Sequence, residues 1–109
     1  MVEKKGRGAY WKSVPIPHLR HTVHFADMST LQGIEVMGGG YTAVINEDET
    51  IVFIDKISES VKLVENAPMI AHELMHVIQI LCEKMKMQIE NEKEHTAYLM
   101  SYLFDELLK

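Results

Sequence analysis

One cysteine in 109 residues removes an entire class of architecture. Cys82 has no second thiol in the chain to pair with, so no internal disulfide framework can hold the fold, and burial must do that work. Its place on an apolar stretch makes it a small packing residue rather than a nucleophile or ligand. No apolar run reaches the length of a signal-peptide core or a membrane span. Repeats and low-complexity tracts are missing too. Together these gaps point to a reducing, cytoplasmic setting and to one domain with a modest core.

What is present fits that picture. Hydrophobic residues make up 47% of the chain, enough for a folded globule and too many for a disordered one. The net charge of −5 is unevenly placed, because Lys4, Lys5, Arg7, Lys12 and Arg20 outweigh Glu3 in the first 25 residues. A solvated terminus accounts for that basic arm better than a nucleic-acid contact does.

Residues 1–20 read as an irregular lead-in, loosened by Gly6 and Gly8 and kept extended by Pro15 and Pro17, with Tyr10 and Trp11 pinning the arm to the body. A single domain then spans 21–109. His21–Asp27 alternates like a strand, which turns His21 and His24 to opposite faces and rules out a metal shared between them. Further strands are expected at Ile34–Met37, Tyr41–Ile45 and Thr50–Ile54. Gly38-Gly39-Gly40 marks a turn or bulge, and Asn46 to Glu49 forms the tip of an antiparallel hairpin. From Asp55 the pattern turns helical: a short piece through Ile57, Val61 and Val64, a long helix over Ala67–Met85 and a last one over Asn91–Leu108. Strands followed by helices make the fold α+β, a small, mainly antiparallel sheet of three or four strands packed on two long helices.

The chemistry concentrates in Ala71-His72-Glu73-Leu74-Met75-His76-Val77. Residues four apart on a helix lie one turn apart on one face, so His72 and His76 can grip one Zn²⁺. Glu73 beside them is placed to take a proton from the water that such a metal activates. Chance alone produces His-Glu-x-x-His somewhere in a chain of this composition with a probability of roughly 3 in 100. The apolar stripe Ile70, Leu74, Val77, Ile78, Leu81 and Met85 runs alongside the histidines, and polar nitrogens bordering a buried stripe need partners.

Two histidines and a water leave zinc one protein ligand short. The last helix and its approach offer Glu90, Glu92, Glu94 and His95. Glu94 shares a face with Tyr98 and Asn91, although Asn91 and Glu94 also fit a capping box. The motif, followed by Glu94 on a second helix, resembles the gluzincin zinc metallopeptidases, and the chain as a whole resembles the minigluzincins, single-domain versions of that scaffold. The resemblance implies His72, His76 and Glu94 as zinc ligands, Glu73 as general base, and a small sheet behind the two helices. It also implies latency through the chain's own termini or self-association. The segment around Glu94 departs from the Asn-Glu segment of the larger aminopeptidases.

The expected function is therefore zinc-dependent hydrolysis of peptide bonds, with a peptide or protein as substrate and zinc as cofactor. The alternative is a catalytically silent binding or regulatory module on the same scaffold. Tyr41, Tyr98 and Tyr102 are candidate oxyanion donors, and Tyr41–Ile45 is a candidate edge strand for a bound peptide. Eight methionines in so small a domain favour exposed apolar patches and self-association.

Overall fold

A computed structural model of the chain describes residues 10–31, 38–86 and 93–109, with only the backbone at 93 and 94. Four strands, β1 (Lys12–Ile16), β2 (His21–Asp27), β3 (Gly40–Asn46) and β4 (Glu49–Ile54), form one sheet in the order β1-β2-β4-β3. Helices α1 (Ile57–Ser60), α2 (Ala67–Lys84) and α3 (Lys93–Leu108) follow, so the fold is α+β.

The sheet is two antiparallel pairs joined along a parallel seam. β1 pairs with β2 and β3 with β4 in antiparallel registers, whereas β2 and β4 run side by side in parallel. A mainly antiparallel sheet was the expectation; the centre is parallel because β3 lies at the far edge and β4 returns beside β2. The β3–β4 hairpin forms as its polar tip predicts, with the Asp48 amide donating to Asn46 Oδ1 at 2.8 Å.

The lead-in needs a larger correction. Lys12–Ile16 is not irregular but an edge strand, with Val14 and Ile16 buried. Pro15 is tolerated there because an edge strand does not need every amide. Two contacts tie the strand to α3: Tyr102 Oη donates to the Pro15 carbonyl at 2.6 Å, and Lys12 Nζ donates to the carbonyls of Glu106 at 2.6 Å and Lys109 at 3.2 Å. A lysine at the carbonyl end of a helix meets both the orphan acceptors and the negative end of the dipole. Of the two aromatics read as anchors, Tyr10 stacks on His24, while Trp11 stays 37% exposed with Lys12 Nζ over its ring.

One sheet face carries the main core. Val14, Ile16, Val23, Phe25, Val52 and Ile54 pack against Ile70, Leu74, Val77, Ile78 and Leu81 of α2 and Leu99, Leu103 and Leu107 of α3. Cys82 is buried in the same cluster, as a packing residue should be. α2 ends one residue earlier than its apolar stripe suggested, and Met85 is exposed. The opposite face has a smaller cluster of Ala26, Ile51 and Phe53, flanked by Tyr41, Ala43 and Ile45. The strand expected at Ile34–Met37, the first nine residues of the basic arm and the proposed Asn91 cap lie outside the described residues.

Candidate metal centre

α2 presents its buried stripe to the sheet and leaves the adjoining face free. His72 and His76 lie on that face, one turn apart and both exposed. Their rings stand perpendicular, 4.6 Å between centroids, and their Nε2 atoms approach to 3.1 Å. Two imidazole nitrogens bound tetrahedrally at zinc distances would be about 3.3 Å apart. The separation of the two nitrogens is thus close to what one divalent ion requires, and here a hydrogen bond between the rings spans it.

Glu73 lies one residue on, on the side of α2 that faces β3, and only 6% exposed. Its Oε1 accepts a hydrogen bond from Thr42 Oγ1 at 2.7 Å. β3 reaches this close because of Gly40: a Cβ there would fall 2.7 Å from Glu73 Cγ and 2.9 Å from Cδ, inside contact distance.

His72, Glu73 and His76 line one groove of about 430 Å³ with Gly40, Thr42 and Gln79, and Glu83 stands at its end. Thr42 and Gly40 were not foreseen, because which β3 residue meets Glu73 depends on register and packing. Gln79 and Glu83 were legible in principle, at three and seven residues beyond His76 on the same helix face. A larger hollow of about 650 Å³ lies between Gly39, the segment from Asp55 to Asn66 that includes α1, and Met69 at the start of α2. No histidine lines it.

The third ligand is less complete. Glu94 is on the first turn of α3, but its side chain, like all of Glu92, lies outside the described residues. His95 is described: its ring meets His18 edge-on, 5.6 Å between centroids. Among the described residues no group of three or more His, Cys, Asp or Glu is gathered for a metal, so His95 does not join His72 and His76. The tyrosines also sort out. Tyr41 contributes to the lining of the groove, with its ring stacked toward Phe53 at 6.4 Å. Tyr98 and Tyr102 stack on each other near His18 and β1, and the Tyr102 hydroxyl is engaged by Pro15.

His21 and His24, separated onto opposite faces as their spacing required, both have hydrogen-bond partners within the sheet. Burial, and then the Lys84 ammonium, hold the His21 imidazole below its ordinary pKa of 6.5. No helix among the described residues is long and apolar enough to cross a membrane. Comparison of the chain with protein families, with curated proteins and with solved structures yields no match.

Proposed function

We propose that this protein is a zinc-dependent metallopeptidase of the gluzincin type. The observation that carries the reading is the convergence of His72 Nε2 and His76 Nε2 to 3.1 Å in a groove that also holds Glu73. The donor set suits the ion: two imidazole nitrogens on one helix face would hold zinc, with Glu94 as the carboxylate that completes a two-histidine, one-glutamate set and leaves one position open. Zinc bound there supplies Lewis acidity and brings the pKa of water toward neutrality. The remaining work belongs to the chain. Glu73 accepts the proton of the attacking water and returns it to the leaving amine. Thr42 holds the Glu73 carboxylate toward the groove, and β3, at the edge of the sheet among the described residues, aligns an extended peptide by main-chain pairing. A cytoplasmic setting, a protein or peptide substrate and self-association belong to the same proposal.

The test is metal content together with proteolysis. Protein purified without added zinc is expected to carry one equivalent and to cleave casein or a peptide library. Glu73→Gln should keep the zinc and lower cleavage by about 10²–10⁴-fold, the contribution of a positioned base. Unchanged cleavage by the variant would remove Glu73 from the mechanism. A silent binding module is the second reading, favoured by the burial of Glu73, which is only 6% exposed. Stoichiometric zinc without hydrolysis of any peptide would select it.

A further inference from the structure

On the sheet face turned away from α2 and α3, three side chains from three adjacent strands make a continuous hydrogen-bonded line. Ser13 on β1 stands directly opposite His24 on β2, and its Oγ is 2.7 Å from His24 Nδ1. The neighbour of His24 on β4 is Ile51; Glu49 is two residues before it and so on the same face, with Oε1 2.7 Å from His24 Nε2. The other oxygen of Glu49 accepts from Asn46 Nδ2 at 2.8 Å. Tyr10 stacks on the imidazole at 4.3 Å and 20°, fixing its plane.

The direction of these bonds follows from what each group can do. An ionised carboxylate only accepts, so the His24 Nε2 facing it carries the hydrogen. In the neutral ring Nδ1 is then the acceptor, and the Ser13 hydroxyl must be the donor. That is the polarity of a nucleophile–base–carboxylate relay: serine hydroxyl to imidazole, imidazole to carboxylate. The base is buried, whereas Ser13 is an exposed residue on the strand beside it.

We infer that Ser13 is an activated nucleophile, with His24 as its base and Glu49 orienting the base, and that it takes acyl groups from activated esters. In that step the Oγ–C bond forms and the ester C–O bond breaks. The hydroxyl proton passes to His24 Nδ1, the imidazolium is balanced by Glu49, and the proton leaves with the departing alkoxide or phenolate. The claim covers transfer to Ser13 and not release from it. It is independent of the groove at His72 and His76.

A fluorophosphonate is the probe, because its phosphorus reports the same attack: Oγ–P forms, P–F breaks, and the proton leaves with fluoride. The full chain is treated in the presence of a chelator, so that the metal centre contributes nothing, and labelled sites are mapped by mass spectrometry. Ser29, Ser58 and Ser101 are exposed serines of the same chain and serve as internal references. Ser13 is expected to label about a hundredfold faster than any of them, the low end of what a positioned base contributes. Glu49→Gln and His24→Gln should remove most of that advantage, and Ser13→Ala should remove the label. Labelling of Ser13 at the rate of the other three overturns the inference, and this comparison within the wild-type chain holds whether or not the variants fold.

Discussion

Four histidines of this protein fall into two pairs with opposite surroundings. His21 and His24 are built into the sheet, 3% and 7% exposed, and each ring has a partner on both nitrogens: Thr50 and Lys84 for one, Ser13 and Glu49 for the other. His72 and His76 are exposed on α2, and among the described residues each is the other's only hydrogen-bond partner. A buried imidazole must be satisfied from within the fold. An exposed pair with converging nitrogens is satisfied by what arrives from outside. His21 and His24 hold the sheet, whereas His72 and His76 are the pair proposed to hold zinc.

The largest effect is expected on the helix pair. His72→Ala and His76→Ala should each weaken zinc binding by more than about a hundredfold, beyond the range seen when only outer partners of a ligand are lost. Because both side chains are exposed, thermal stability of the zinc-free protein should hardly change. Competition against a chelator gives the first quantity and calorimetry the second. A drop in apo-protein Tm as large as that of a core substitution would place the pair with the structural histidines.

The reverse signature belongs to His24. Replacing it with alanine empties a buried ring site between Ser13, Glu49 and Tyr10, and about 1–3 kcal/mol of stability should go with it. Zinc affinity should not move. Urea unfolding of the variant beside the wild type, each with a zinc titration, reads both. Altered zinc binding would mean that the two pairs communicate.

Next in size is the third ligand. Glu94→Ala should weaken zinc binding by at least about tenfold, and His95→Ala should leave it nearly unchanged. The His95 ring already sits against His18, which gives that half of the prediction a structural basis. Zinc release by His95→Ala alone would make the centre a three-histidine one.

Much of this division was legible in the residues. The i,i+4 spacing of His72 and His76 fixes a shared face on any helix, and the period of two in β2 parts His21 from His24. The sequence pattern of Thr22, Val23 and Phe25, which suit a pleated surface, matches the bounds of the strand His21–Asp27. Contacts that depend on long-range pairing were not legible. Pro15 and Pro17 argued for irregular chain where β1 forms, because nothing local says that an edge position will excuse them. The parallel β2–β4 seam has no local signature either. The Ser13–His24–Glu49 line and the Thr42–Glu73 contact are written in register, so they appear only once the sheet exists. Residues 87–92, from which a third ligand could have been argued, lie outside the described chain.

The smallest effect sharpens the difference between the two sheet histidines themselves. Lys84 Nζ lies 3.2 Å from His21 Nδ1 and can only donate, so Nδ1 is the acceptor and Nε2–H faces Thr50 Oγ1 at 2.7 Å. Protonating Nδ1 would place a hydrogen against an ammonium group in a buried site. Burial first and Lys84 second therefore lower the pKa of His21, while Asp48 and Glu49 pull the other way. A pKa below the unfolded value of 6.5 means that the unfolded chain binds the proton more readily. The stability from keeping His21 neutral is complete above that pH and is lost as pH falls through 6.5 toward the folded value. Melting temperature should thus decline on the acid side of 6.5, and His21→Gln, which cannot titrate, should show a shallower decline. Parallel curves for the two proteins from pH 7.5 to 5 would show that Lys84 moves away on acidification and that His21 is as free to charge as an exposed histidine.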